Sequence, residues 1–190
     1  MPPPDRIAAL TARAIADAVT RYAATGNVRA WEQAMREAIT RGHTAAAIAG
    51  TAERLGATAG GKLLNERNLS RAERAAITKR VAGQMPYLRK FAEQVRAGDK
   101  SEAMVAAQSG LYAGATRATF LEARYYGWDL RDVPIPADGG TQCLSNCKCV
   151  AYVEESGDRA VWVYETTAAE HCPECLSRAS RSPYPLRRSA

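Results

Sequence analysis

At 190 residues with a net charge of +6, the chain is long enough to bury a real core, and no apolar run reaches the roughly 18–20 residues needed to span a bilayer. Acidic residues are interspersed with basic ones everywhere except the stretch Arg178 to Arg188, so the charge carries little nucleic-acid signal. The opening Met-Pro-Pro-Pro-Asp lacks the basic-then-apolar order of a secretory signal, so export by that route is not expected.

Alanine dominates residues 1–135, and Phe occurs only twice, so the helices are expected to pack through small residues at close approach. Asp5 reads as the N-cap of a first helix from about Arg6 to Ala24, stopped by Thr25-Gly26. Asn27 caps a second helix through Arg41, with Trp31, Met35 and Ile39 on one face and Gly42 closing it. Thr44 to Leu55 reads as a third helix, followed by a flexible joint over residues 57–61. Ser70-Arg71-Ala72-Glu73 has capping-box form and opens a helix that Gly83 and Pro86 break or kink before Tyr87 to Ala97 resumes the period. Ser101 caps the longest candidate, about Glu102 to Tyr126. In its middle, Gly110 and Gly114 are expected to let a neighbouring helix approach.

The pattern changes at Gly127-Trp128. Val133 to Thr141 is turn-rich and delivers the chain to all five cysteines, Cys143, Cys147, Cys149, Cys172 and Cys175. Between them, Lys148–Val153 and Ala160–Glu165 read as the strands of a β-hairpin turning near Ser156-Gly157. An odd number of clustered thiols argues for a metal rather than a disulfide framework. Cys172-Pro-Glu-Cys175 lets two thiolates of one tight turn face the same ion. With Cys149 set opposite Tyr164 and Cys147 opposite Thr166, distance favours Cys143, Cys147, Cys172 and Cys175 around one structural Zn²⁺, with Cys149 and His171 in reserve. Cys147 and Cys149 are two apart and share a face, so a register slip of two residues exchanges them.

The expected class is therefore mainly α. An alanine-rich bundle of about five to six helices (1–127) is followed by an extended connector (128–142), a cysteine-rich zinc hairpin (143–177) and a basic tail (178–190). The tail, with two prolines, is expected to be extended and poorly ordered unless Tyr184 and Leu186 dock on the helices. Weak or no self-association is expected, because the larger apolar residues are needed for one chain's core.

No catalytic constellation stands out. The only histidines are His43, read as a capping or solvated residue at a helix junction, and His171 beside the second cysteine pair. Glycine-rich phosphate loops, a Gly-x-Ser-x-Gly elbow and His-Glu-x-x-His are all missing from the sequence. His171-Cys-Pro-Glu-Cys175 matches only the second half of a zinc-deaminase signature. Several cysteinates around one Zn²⁺ leave little Lewis acidity, so the metal is expected to be structural and the protein not an enzyme.

Several stretches together resemble the minor head, or head-morphogenesis, proteins of tailed bacteriophages and prophages. They are Trp31, Met35, Ile39 and His43-Thr-Ala-Ala; Tyr87-Leu-Arg-Lys-Phe-Ala-Glu with Gly98 and Ser101; and Leu111-Tyr-Ala-Gly with Arg117 and Ala118. The junction Asp138-Gly-Gly-Thr-Gln-Cys143-Leu-Ser-Asn146-Cys147-Lys-Cys149 and the segment Glu170-His-Cys-Pro-Glu-Cys175 carry the specific part. A departure is the Gly60-Gly61 pair, displaced from the family's glycine turn after the third helix. The resemblance implies a virion protein assembled in the bacterial cytoplasm, associated with portal or capsid proteins and acting in head assembly or DNA packaging and delivery. It implies no cofactor but the metal, and neither a membrane nor a small-molecule substrate. The alternative is a small DNA-binding zinc protein of bacterial or mobile-element origin, touching phosphates through Arg178, Arg181, Arg187 and Arg188.

Overall fold

The computed structural model describes residues 4–56, 64–138, 149–156, 159–167 and 172–189. Among them, four long helices form a bundle: α1 (Pro4–Thr25), α2 (Val28–Arg54), α3 (Arg71–Arg96) and α4 (Glu102–Arg124). A C-terminal cap follows, made of β1 (Val150–Ser156), β2 (Arg159–Glu165), α5 (Pro173–Ser180) and β3 (Tyr184–Leu186). The class is mainly α with one small antiparallel sheet in the order β1-β2-β3.

The helix starts follow local chemistry. Asn27 accepts from the Ala30 amide at 3.0 Å, and Ser101 accepts from Met104 at 3.3 Å. The capping box ahead of α3 is complete: the Glu73 amide donates to Ser70 Oγ at 3.1 Å, and the Ser70 amide donates to Glu73 Oε2 at 2.7 Å. A short 3₁₀ turn over Glu66–Asn68, which periodicity does not reveal, leads into it. The first helix differs from expectation. It already includes Pro4, whose fixed φ suits a first turn, and Asp5 sits inside that turn rather than capping it.

Two expected breaks are absent. The second and third expected helices are one, because Gly42 is buried in mid-helix: a Cβ there would lie 2.4 Å from Thr11 Oγ1 on α1. Gly50 does the same against α4, where a Cβ would lie 2.2 Å from the Phe120 carbonyl oxygen. A mid-helix glycine costs about 1 kcal/mol relative to alanine, which the close packing of three helices offsets. Gly110, by contrast, has nothing within 4 Å of where a Cβ would stand, so the expected approach at that residue is not made. Helix α3 likewise runs through Gly83 and Pro86. The proline sits on the exposed side, while Met85, Leu88 and Phe91 around it are buried and hold the turn closed.

The bundle core joins Ile15, Val19 and Tyr22 of α1 to Trp31, Met35 and Ile39 of α2 and to Ile77, Val81, Leu88 and Phe91 of α3. Each such burial stabilises by about 1.5–3 kcal/mol. A second core lies under the sheet and includes Ala118 of α4, Ile135, Ala137, Trp162 and Tyr164. Ile135 and Ala137 of the connector thus contribute to the cap core. The joint expected over residues 57–61 lies outside the described residues.

Candidate metal centre

The cap is organised around Trp162, which is fully buried on β2. Its ring meets Tyr125 edge-on with centroids 5.4 Å apart, and its Nε1 donates to the Pro134 carbonyl at 2.8 Å. One side chain thereby ties the sheet to the end of α4 and to the connector. The inward positions of β2 are Ala160, Trp162 and Tyr164, all buried, as strand alternation requires.

The hairpin register differs by two residues from the expected one. Val150 pairs with Glu165, Ala151 with Tyr164 and Ser156 with Arg159. Tyr164 therefore faces Ala151, not Cys149, and continuing the ladder by one step sets Cys149 beside Thr166, the position expected for Cys147. The two-residue slip has occurred, because β1 runs on to Ser156 and the turn begins later than the alternation suggests. Cys149 is buried in the same core as Cys175, with Cys172 packed against it. Cys143, Cys147 and His171 lie outside the described residues.

The Cys172-Pro-Glu-Cys175 segment is the start of a helix, not an isolated turn. Cys172 is the N-cap of α5, Pro173 stands at its first position and Glu174 in its first turn. That proline-then-acid order was the available signal for a helix. Starting α5 there places Cys172 and Cys175 about one turn apart, on one side of the helix. Cys175 is 1% exposed and accepts a hydrogen bond from the Tyr164 hydroxyl across 3.5 Å. Tyr164, which the cysteine pattern alone does not single out, is itself buried and bonds further through its backbone: its amide donates to Ser182 Oγ at 2.9 Å.

The donor set suits a structural thiolate site in part. Two cysteines share the start of one helix, a third lies in the same buried core, and a phenol O–H points at one sulfur as outer donors to metal thiolates do. Among the described residues, however, no group of three or more His, Cys, Asp or Glu side chains is gathered to hold an ion.

The tail is also different from expectation. It docks on the sheet instead of the helices: Tyr184–Leu186 pairs antiparallel with β2, and the Tyr184 hydroxyl donates to the Arg178 carbonyl at 2.7 Å. Arg178 donates to both Asp138 oxygens at 3.2–3.3 Å, Arg181 Nε to the Ser177 carbonyl at 3.3 Å, and Arg188 lies 3.7 Å over the Trp128 ring. Three of the four arginines proposed for phosphate contact are engaged within the cap, while the Arg187 carbonyl accepts from the Asp129 amide at 2.8 Å.

His43 is not at a helix junction. It is fully buried in mid-α2, with Nδ1 2.7 Å from Thr119 Oγ1 of α4. Arg80 of α3 donates to the same oxygen at 3.2 Å and pairs with Glu122. The other ring nitrogen, Nε2, is buried with no hydrogen-bond partner among the described residues. Burial pushes the imidazole pKa down to about 4, the Arg80 charge pushes the same way, and Gln84 opposes it. The ring is neutral and, through Thr119 and Arg80, joins a network across three helices. Sequence reasoning misses it because His43 follows Gly42, which reads as a helix stop.

Comparison with protein-family models, with curated proteins and with solved structures finds no match.

Proposed function

We propose that the chain is a non-enzymatic assembly protein of the minor-head type, acting in the virion on portal or capsid proteins during head assembly or DNA packaging and delivery. Its cap would be held by one structural Zn²⁺, with Cys172 and Cys175 as fixed ligands and Cys149 the first candidate among the rest. The metal would supply a cross-link between hairpin and α5 and no reaction chemistry.

The observation that carries this reading is that α4 serves both cores. Ala113 and Ala123 pack into the bundle while Ala118, Leu121 and Tyr125 of the same stretch pack under the sheet. A cap built directly on a bundle helix suits a rigid adaptor between partners, and Cys149 and Cys175 are buried in the cap core. Internal engagement of Arg178, Arg181 and Arg188 favours a protein partner over DNA.

Co-sedimentation with purified capsids or portal tests the reading, and pelleting with either is the expected result. Gel shifts on duplex DNA across a salt series, giving a slope in log salt without capsid binding, would establish the DNA-binding alternative instead. Elemental analysis of protein purified under reducing conditions is expected to find one Zn²⁺ per chain.

A further inference from the structure

Folding sorts the charges of α1 and α2, which alternate in the sequence. Five acids lie on the two helices. Asp5, Glu32 and Glu53 pair with Arg117, Arg89 and Arg124 of the neighbouring helices, and Glu37 pairs with Arg41 one turn on. Asp17 alone of the five has no ion pair among the described residues. Arg6, Arg13, Arg21, Arg29 and Arg36 are all exposed, and they too are without an ion pair among the described residues. Seven residues make close to two helical turns, so Arg6 and Arg13 stand in one column with Arg21 about a quarter turn away, while Arg29 and Arg36 form a second column. Between α1 and α2 runs a groove of about 420 Å³ lined by Ala14, Ala34 and Ala38, with the Glu37–Arg41 pair at its rim.

We propose that this outer face of α1 and α2 binds the phosphate backbone of nucleic acid, without reading its sequence. Five arginines against one aspartate leave the face at +4, and the internally neutral Glu37–Arg41 pair adds nothing. No lysine occurs on either helix, and the planar guanidinium is the cation whose donors match phosphate oxygens two at a time. From Arg6 to Arg21 the helix rises about 22 Å, the length of roughly six base pairs of duplex. The small side chains along the groove let a backbone come close. Leu10 and Val28 are the only large apolar side chains exposed on α1 and α2 among the described residues, too few for the apolar centre of a protein interface or for insertion into a bilayer. This face is separate from the tail, whose arginines are engaged within the cap, and the proposal does not rest on the assembly reading.

Fluorescence anisotropy of a labelled duplex of arbitrary sequence, titrated with the full chain across a salt series, tests this. Binding is expected to be indifferent to sequence, with log affinity falling against log salt at a slope of about −3 to −5, since each phosphate contact contributes roughly −0.9. Arg13→Glu with Arg36→Glu should weaken binding about tenfold or more and flatten the slope. Arg13→Gln with Arg36→Gln should act in the same direction should the reversal disturb the fold. Lys79→Glu with Lys90→Glu, at exposed positions of α3, changes the net charge equally and should cost far less. Asp17→Asn should tighten binding. No binding at low salt, an equal loss from the α3 variant, or binding to vesicles of anionic lipid in place of the duplex would overturn the proposal.

Discussion

Tyr164 and Cys175 meet in the buried heart of the cap, the phenol O–H on β2 donating to the sulfur on α5 across 3.5 Å. If the sulfur is a metal thiolate, that bond stabilises its charge. Tyr164→Phe is therefore expected to lower Zn²⁺ affinity roughly tenfold to a hundredfold in chelator competition. Far-UV circular dichroism should stay unchanged. Cys175→Ser should lose the metal outright while the bundle helices persist. Unchanged affinity in the phenylalanine variant would leave the tyrosine a packing residue only.

His43 gives a pH dependence with a definite sign. In the unfolded chain it binds a proton below about 6.5, whereas in the folded chain it stays neutral down to about 4. The unfolded state holds more protons in that window, so stability should fall as pH drops from 6.5 to 4 and level off below. The loss is roughly 3 kcal/mol, at about 1.4 kcal/mol for each pH unit crossed between the two values. Urea unfolding at several pH values measures it, and His43→Gln should flatten the slope.

Three glycines in helices should respond differently to alanine. Gly50→Ala drives a methyl into the Phe120 carbonyl oxygen and Gly42→Ala into Thr11, so each is expected to destabilise by about 1–3 kcal/mol. Gly110→Ala meets nothing and should stabilise by roughly 0.5–1 kcal/mol. Thermal melts of the three variants give the order directly.

Deleting residues 182–189 removes the third strand and the Ser182 acceptor of the Tyr164 amide. The fully buried Trp162 pairs with Tyr184 across that strand and should become accessible, so its emission should shift to the red and quench more readily. The bundle helices should keep their dichroism. Unaltered tryptophan emission would return the tail to the loosely held role that its composition suggests.

The capping box at Ser70, the caps at Asn27 and Ser101 and the hairpin itself were legible because short-range chemistry decides them. The continuity of α2 was not: Gly42 reads as a stop, and only Thr11, 31 residues earlier, makes a glycine necessary there. The same misreading hid His43, whose partners Thr119 and Arg80 come from two other helices. In the candidate site, thiol spacing located the cap but not the register, since alternation of period two cannot tell Cys147 from Cys149. Helix α5 was signalled by Pro173 and Glu174, but the cysteine pattern around them invited a metal-turn reading instead.

The Ser189 amide donates to the Gly127 carbonyl at 2.9 Å, and Trp128 and Arg188 form a β-bridge. The cap therefore leaves α4 and returns to within one hydrogen bond of its own starting point. Such a unit behaves as a cassette with both ends at one seam. A linker joining positions 127 and 189 would need almost no length, and a pull between those positions would load the seam in shear before it reached the sheet. Any fusion attached after residue 189 would be presented at the foot of α4, beside the bundle, rather than at the hairpin tip.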